Sequence, residues 1–563
     1  MASSVKTSNG IVKTWWKESV VYQIYPRSFK DSTGDGVGDL KGITQKLDYI
    51  KNLGVNTVWL CPMFDSPNAD NGYDIRDYRK IMTDFGTMAD FDELVSEMKK
   101  RDLRLIMDLV ANHTSDEHYW FQESKKSKDN PYRDYYIWKP KKEGEFPNNW
   151  ISWFSGSAWE WDEKTQEYYL HFFAKKQPDL NWENPKVRQE IYDIMNFWID
   201  KGADGFRLDA IPFISKDQKF PNFPDDFDGA FDKVYASGPR LHEFFREMNR
   251  EVFGKRNVFS VGETSGIDLE DVPLFIGEDR KELDTVFHFG TVSVDRQENW
   301  WKWRPYQLPE LKKLFTRYDE IYENHSWNTL FMSNHDVPRI VSRYGDDSPE
   351  HRSNCAKLFA TMLLTLKGTP FIYQGDEIGM TNYPFTDISQ FKDIAAINAW
   401  QEQVVEGKED PTTFMDNLLK TSRDHGRTPM QWNSTDHGGF TQAGQPWLAV
   451  NPNYKEINAQ SAENNPNSVY HHYRGLLQIR KQNDALVYGD YKDLDPEHLQ
   501  VFTYTRTLDK DQFLVLLNCS SEKVTYILDD QFEIDRILFT NLESKSEYSG
   551  TLEPWESILF KLK

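Results

Sequence analysis

Cysteine is scarce: Cys61, Cys355 and Cys519 are the only three in 563 residues. So widely separated, they give no disulfide framework and no zinc site with close ligand spacing. Long apolar runs are missing as well. Met1 to Glu18 carry Lys6, Lys13 and Lys17 but no stretch of the length that a secretion signal or a membrane span needs. A cytoplasmic protein with reduced thiols and no membrane partner is expected. No block of Lys and Arg offsets the acidic balance of 67 basic against 89 acidic side chains, a formal net charge of -22. That charge opposes phosphate backbones and anionic lipid, so nucleic acid is not expected as a partner. Internal repeats and low-complexity tracts are also lacking.

What the chain does have is length and rings. At 563 residues it exceeds a single hydrophobic core, and 38% hydrophobic with 15% aromatic residues is ample for globular packing. Eight short apolar or β-branched runs alternate with longer helical patterns. They are Val20 to Tyr25, Thr57 to Leu60, Leu103 to Val110, Gly205 to Ala210, Val258 to Gly262, Thr285 to Phe289, Thr329 to Met332 and Thr369 to Tyr373. Between them, sets such as Leu40, Ile43, Leu47, Ile50, Leu53 and Val187, Ile191, Ile194, Trp198 fall on one helix face. This alternation predicts parallel strands with crossover helices. Eight strands favour a closed (β/α)8 barrel over an open doubly wound sheet.

About a hundred residues separate the third run from the fourth, too many for one helix and loop, which predicts an inserted subdomain after strand 3. From about Asp484 the pattern turns to short strand-like pieces, Leu499 to Thr505, Phe513 to Leu517 and Lys523 to Leu528, and predicts a C-terminal antiparallel β-domain. The expected division is 1–113 and 179–483 for the barrel, 114–178 for the insertion and 484–563 for the β-domain.

In such a barrel chemistry gathers at the C-terminal strand ends. The third run leads into Asp108, Asn112 and His113; the fourth carries Arg207 and ends at Asp209; the fifth ends at Glu263; the seventh runs into Asn334, His335 and Asp336. Singly, an Asp after a strand is more often a turn or a helix cap. Jointly they suit glycoside cleavage with retention, which needs one carboxylate to attack the anomeric carbon and a second, kept protonated, to protonate the leaving oxygen. Arg207 and Asp209 are two apart and share a strand face, so the guanidinium is expected to hold Asp209 ionised while Glu263 is the group that is raised.

The segments DLVANH (108–113), GFRLDA (205–210), VGET (261–264) and SNHD (333–336), in this order, resemble the α-amylase superfamily of glycoside hydrolases, family 13. QPDLNW (177–182), SRDHGRTPMQW (422–432) and VNPNYKEIN (450–458) narrow the resemblance to the oligo-1,6-glucosidase and α-glucosidase subfamily. It extends over essentially the whole chain. It implies a retaining, exo-acting α-glucosidase with Asp209 as nucleophile, Glu263 as general acid/base and Asp336 as the carboxylate that stabilises the transition state. It also implies that His113, Arg207 and His335 bind the reacting glucose and that Asp70 and Arg423 grip its far hydroxyls. Tyr73 matches the ring on which the sugar stacks, and Phe173 and Gln177 match walls of the pocket. Without the resemblance, Tyr73 and Phe173 read as core packing. The partner is a small oligosaccharide or disaccharide, no organic cofactor is implied, and a monomer or weak homo-oligomer is expected.

The loop DSTGDGVGD places Asp31, Thr33, Asp35, Val37 and Asp39 at alternate positions with a glycine sixth, as calcium loops do. Position twelve is Gly42 rather than glutamate, so the loop is no EF-hand, and a polar turn capping the helix from Leu40 is the plainer alternative. The resemblance implies a structural Ca2+ or Mg2+ here, with Thr33 where the family usually has Asn.

Ala210, after Asp209, borders the departing sugar. The family's α-1,6 enzymes tend to carry valine there and its α-1,4 enzymes alanine or threonine, which favours a maltose-type enzyme, with isomaltose or sucrose possible. A related subgroup isomerises sucrose. This chain matches one of its two clamp aromatics, Phe289, but has Ser265 at the other and SVDRQ (293–297) in place of RLDRD. Hydrolysis is therefore favoured, with isomerase or transglucosylase activity second. A non-catalytic binding subunit, like the amino-acid transporter heavy chains, is a remote third: all three carboxylates are present and an anchor is not.

Overall fold

A computed structural model describes residues 5–6, 12–141, 146–225, 231–236, 238–322, 326–442, 444–543 and 545–563. Its centre is a parallel sheet of eight strands: β1 Val21–Ile24, β2 Thr57–Leu60, β3 Arg104–Val110, β4 Gly205–Asp209, β5 Phe259–Thr264, β6 Thr285–His288, β7 Thr329–Leu330 and β8 Thr369–Tyr373. All eight expected runs became strands. Their order is β6-β5-β4-β3-β2-β1-β8-β7. Between β6 and β7 side chains close the ring: Thr285 Oγ1 donates to the Trp327 carbonyl at 2.6 Å and Thr329 Oγ1 to the Val286 carbonyl at 2.8 Å. β7 is shorter than expected because the chain turns after Leu330 into Ser333, whose hydroxyl is bound by buried Asp376.

The strands are buried on both faces, which is why they read as continuous apolar runs. Inside, Trp59, Phe287, Phe331 and Phe371 interlock with ring centroids 4.7–6.1 Å apart and plug the barrel. Outside, helices cover it. In α1, Pro185–Lys201, Val187, Ile191, Ile194 and Trp198 are all buried, as their spacing predicts; Asn184 caps its start and Gly202, left-handed, its end. The stretch expected as one helix from Leu40 to Leu53 is two, Leu40–Gln45 and Leu47–Leu53, because the backbone at Lys46 leaves the helical region.

Between β3 and β4 the strands Trp138–Lys139, Trp159–Asp162 and Glu167–Leu170 form a separate antiparallel sheet with the last in the middle. Its aromatic face, with Trp150, Trp159 and Phe172, packs on Phe213 and Tyr235 from the segment after β4. Isolated bridges from His113 to Asp179 and from Tyr136 to Leu180 tie it down at the barrel mouth. Beyond the barrel lies a five-stranded antiparallel sheet of β9 Asp490–Asp493, β10 Val501–Leu508, β11 Asp511–Asn518, β12 Ile534–Thr540 and β13 Ser557–Leu562, ordered β9-β10-β11-β13-β12. Two of the three pieces expected here are β10 and β11. The third is only the short strand Val524–Thr525, paired with Thr551–Leu552.

Candidate active site

Three barrel strands deliver four charged groups to one point. The parallel register sets Arg207 on β4 opposite Asp108 on β3 and Val261 on β5. The guanidinium, 2% exposed, then binds outward: Nη1 to Asp209 at 2.6 Å and to Asp108 at 3.0 Å, Nη2 to Glu263 at 2.5 Å. Oxygens held on the two terminal nitrogens of one guanidinium set Asp209 and Glu263 side by side, as a retaining pair of carboxylates must be. Trp59 Nε1 and Tyr73 Oη close on Asp108 at 3.3 and 3.1 Å.

Three carboxylates around one guanidinium leave an excess of two negative charges in a dry place, and the titration follows from that. Burial pushes Asp209 well above the usual carboxylate range, with Glu263 and Asp108 adding to it and Arg207 opposing. Burial likewise raises Asp108 to about 6 against Arg207. The expectation that Arg207 alone keeps Asp209 ionised is thus corrected: desolvation outweighs the cation.

Asp336 has the opposite setting. Burial works against its charge, but His335, Arg423 and Arg427 outweigh burial and hold it well below the usual range. Arg427 Nη2 meets Asp336 Oδ1 at 2.7 Å, Arg423 Nη1 meets the same oxygen at 3.2 Å, and His335 Nε2 approaches Oδ2 at 3.1 Å. Burial lowers His335 to about 3, so it is neutral. Gln23 Nε2 lies 2.8 Å from its Nδ1, which leaves the proton on Nε2, shared between Asp336 and Tyr73 Oη at 2.5 Å. Tyr73 lies nearly parallel to the His335 ring, at 7°. Its ring lies in the buried core while its hydroxyl binds Asp108.

Gln177 Nε2 donates to Asp70 Oδ2 at 2.9 Å and lies 3.1 Å from His113 Nε2. Burial raises Asp70 to about 7 and lowers His113 to about 4. Phe173 packs on the His113 ring at 4.9 Å. Asp70 and Arg423 make no direct ion pair among the described residues, though the charges of Arg423 and Arg427 oppose the effect of burial on Asp70. Phe289 lines a small cavity with Glu263, Arg207, Trp59 and Asn334. Ser265 Oγ binds Asp232 at 3.0 Å and presents no ring. Ala210 is buried in the left-handed region, φ 42°, and its N–H donates to Glu263 Oε2 at 3.0 Å.

The Asp31 loop is not gathered as a ligand set. Asp31 accepts the N–H groups of Thr33, Gly34 and Gly36 at 2.7–2.8 Å, Asp39 those of Ser32 and Gly42 at 2.7 Å, and Asp35 that of Val37 at 2.9 Å. Among the described residues no three His, Cys, Asp or Glu side chains converge as metal ligands.

Gln23, Asp393 and Arg427 are site residues that strand-end reasoning passes over. Gln23 lies inside β1, and Arg427 stands in the quoted segment SRDHGRTPMQW without a strand to point to it.

With this geometry in view, the comparisons are specific. Residues 23–489 match the family described as alpha amylase, catalytic domain. An oligo-1,6-glucosidase of Parageobacillus thermoglucosidasius is 51% identical over 98% of this chain and 99% of its own. A trehalose-6-phosphate hydrolase of Bacillus subtilis is 47% identical over 97% and 98%. Among solved structures, an isomaltulose synthase mutant of Erwinia rhapontici NX5 in complex with sucrose superposes with a TM-score of 0.96 at 48% identity, covering 98% of this chain and 100% of that one. Among the described residues no helix is long and apolar enough to cross a membrane. A (β/α)8 barrel with three carboxylates at its mouth, matched over nearly its full length by such relatives, belongs to the α-amylase family of glycoside hydrolases, in the group of the oligo-1,6-glucosidases.

Proposed function

We propose that this protein is a retaining α-glucosidase that removes the terminal non-reducing glucose from short oligosaccharides. The observation that carries the proposal is the single guanidinium of Arg207 holding both Asp209 and Glu263. In this reading Glu263 protonates the glycosidic oxygen, Asp209 attacks the anomeric carbon to form a β-glucosyl ester, and Glu263 then takes the proton of the incoming water. Asp336, kept ionised by Arg427 and Arg423, stabilises the positive charge that develops on the sugar ring. Asp70 and Arg423 close the far end of the pocket, which limits cleavage to chain ends.

The linkage rests on Ala210, which favours maltose over isomaltose, whereas the relatives' names point to α-1,6 bonds. Resemblance to isomaltulose synthases keeps sucrose rearrangement as a second reading, supported by Phe289 beside Glu263 and opposed by Ser265. The test is a time course on maltose, isomaltose and sucrose, each alone, with the released anomer followed by proton NMR. Each cut of maltose or isomaltose also frees the reducing-end glucose in the anomeric mixture of the substrate, so the anomer is read as the excess over that mixture. An early excess of α-glucose, with faster release from maltose, supports the proposal. An early excess of β-glucose would end the retaining mechanism, and isomaltulose or trehalulose from sucrose would establish the second reading.

A divalent cation in the loop of Asp31, Thr33, Asp35, Val37 and Asp39 is a separate proposal. The alternating oxygen groups support it and their present N–H partners weigh against it. About one equivalent of calcium or magnesium surviving dialysis would support it; a protein that keeps its melting temperature without either ion would retire it.

A further inference from the structure

We propose that Asp393 is the positioning residue for Arg423 and acts on glucose recognition only through that guanidinium; this rests on the glucosidase reading above. Asp393 is fully buried and caps the helix α2 Ile394–Trp400, its Oδ1 accepting the Ala395 N–H at 3.0 Å. The same carboxylate takes two prongs of Arg423, Nη2 at 2.5 Å and Nε at 2.9 Å. Only Nη1 is left to face the pocket, where it meets Asp336 Oδ1 at 3.2 Å.

The grip is reciprocal. Asp424, the residue after Arg423, accepts the backbone N–H groups of Lys392 and Asp393 at 2.6 and 3.0 Å. A third side comes from the inserted segment: the Phe154 ring lies 5.6 Å from the Arg423 guanidinium, and Asn398 on α2 donates to the Phe154 carbonyl at 3.0 Å. Anchoring gives this arrangement its consequence. Asp393 takes two nitrogens of Arg423, while Asp336 takes Arg423 Nη1 and Arg427 Nη2. Without the Asp393 charge Arg423 loses its two-pronged anchor and is drawn onto Asp336 and away from the ligand.

A helix cap with no functional role would cost stability alone, so the test is a double-mutant cycle with Asp393→Asn and Arg423→Ala, read as kcat and KM on maltose alongside melting temperature. Asp393→Asn is expected to raise KM about ten- to a hundredfold with a smaller change in kcat. In the Arg423→Ala background it should change kcat/KM by less than about twofold. Equal losses in both backgrounds would overturn the proposal. If Asn is not tolerated at this buried cap, Asp393→Ser, which keeps the cap but not the charge, takes its place. The same cycle read as D-glucose binding by calorimetry needs no turnover. A wild-type chain that binds glucose but hydrolyses nothing would sink the glucosidase reading while binding still decides the role of Asp393.

Discussion

The backbone N–H of Ala210 donates to Glu263 Oε2 at 3.0 Å, and it can do so because Ala210 occupies the left-handed region. The residue after the proposed nucleophile thereby orients the proposed acid. A glycine would keep both the bond and the φ angle, so Ala210→Gly should leave the melting temperature within a few degrees of wild type. A valine, β-branched at positive φ, should destabilise by about 1–3 kcal/mol and shift the kcat/KM ratio from maltose toward isomaltose. Melting curves and the two ratios check this; an unchanged ratio would remove Ala210 as the linkage determinant.

Arg207 is the one cation among three carboxylates at the base of the site. Arg207→Ala should cost about 3–5 kcal/mol of stability at pH 7, since it leaves Asp108 buried without its partner. Denaturant unfolding at pH 7 and pH 5 measures it. The loss should shrink at the lower pH, because burial raises Asp108 to about 6 and it can take up a proton there. A loss below about 1 kcal/mol at pH 7 would mean that Trp59 and Tyr73 suffice to hold Asp108.

Buried His472 offers a pH test away from the site. Its ring is 2.9 Å from Thr361 Oγ1, and burial lowers it to about 3. The folded protein therefore keeps it neutral while the unfolded chain protonates it below about 6.5. The sign follows: this residue's contribution is full above pH 6.5 and is lost as the pH falls toward 3. His472→Gln should be less stable than wild type at pH 7.5 and close part of that gap by pH 4.5. A gap independent of pH would show that the histidine is not buried neutral.

Much of this was legible beforehand because a parallel barrel strand buried on both faces leaves an unbroken apolar run, and because polar residues break that run at its C-terminal end. Thr57–Leu60 and Gly205–Asp209 show the first, Asp209 and Glu263 the second. The break at Lys46 was not legible: Leu40 to Leu53 keep one apolar face across two short helices, so periodicity alone does not see the change of backbone. Nor was the balance at Asp209, since a sequence shows the neighbouring Arg207 but not the depth of burial that outweighs it. Asp393 was silent for a similar reason. It reads as an ordinary N-cap, and only the fold brings Arg423, thirty residues on, against it.

The central claim is that Asp209 forms a covalent bond to glucose while Glu263 manages the protons. Glu263→Gln, given an aryl α-glucoside whose leaving group needs no acid, should complete the first step and stall before the second. Digestion and mass spectrometry should then find one glucosyl residue on the peptide carrying Asp209. A glucosyl group on any other residue, or unmodified protein releasing β-glucose, would contradict the account.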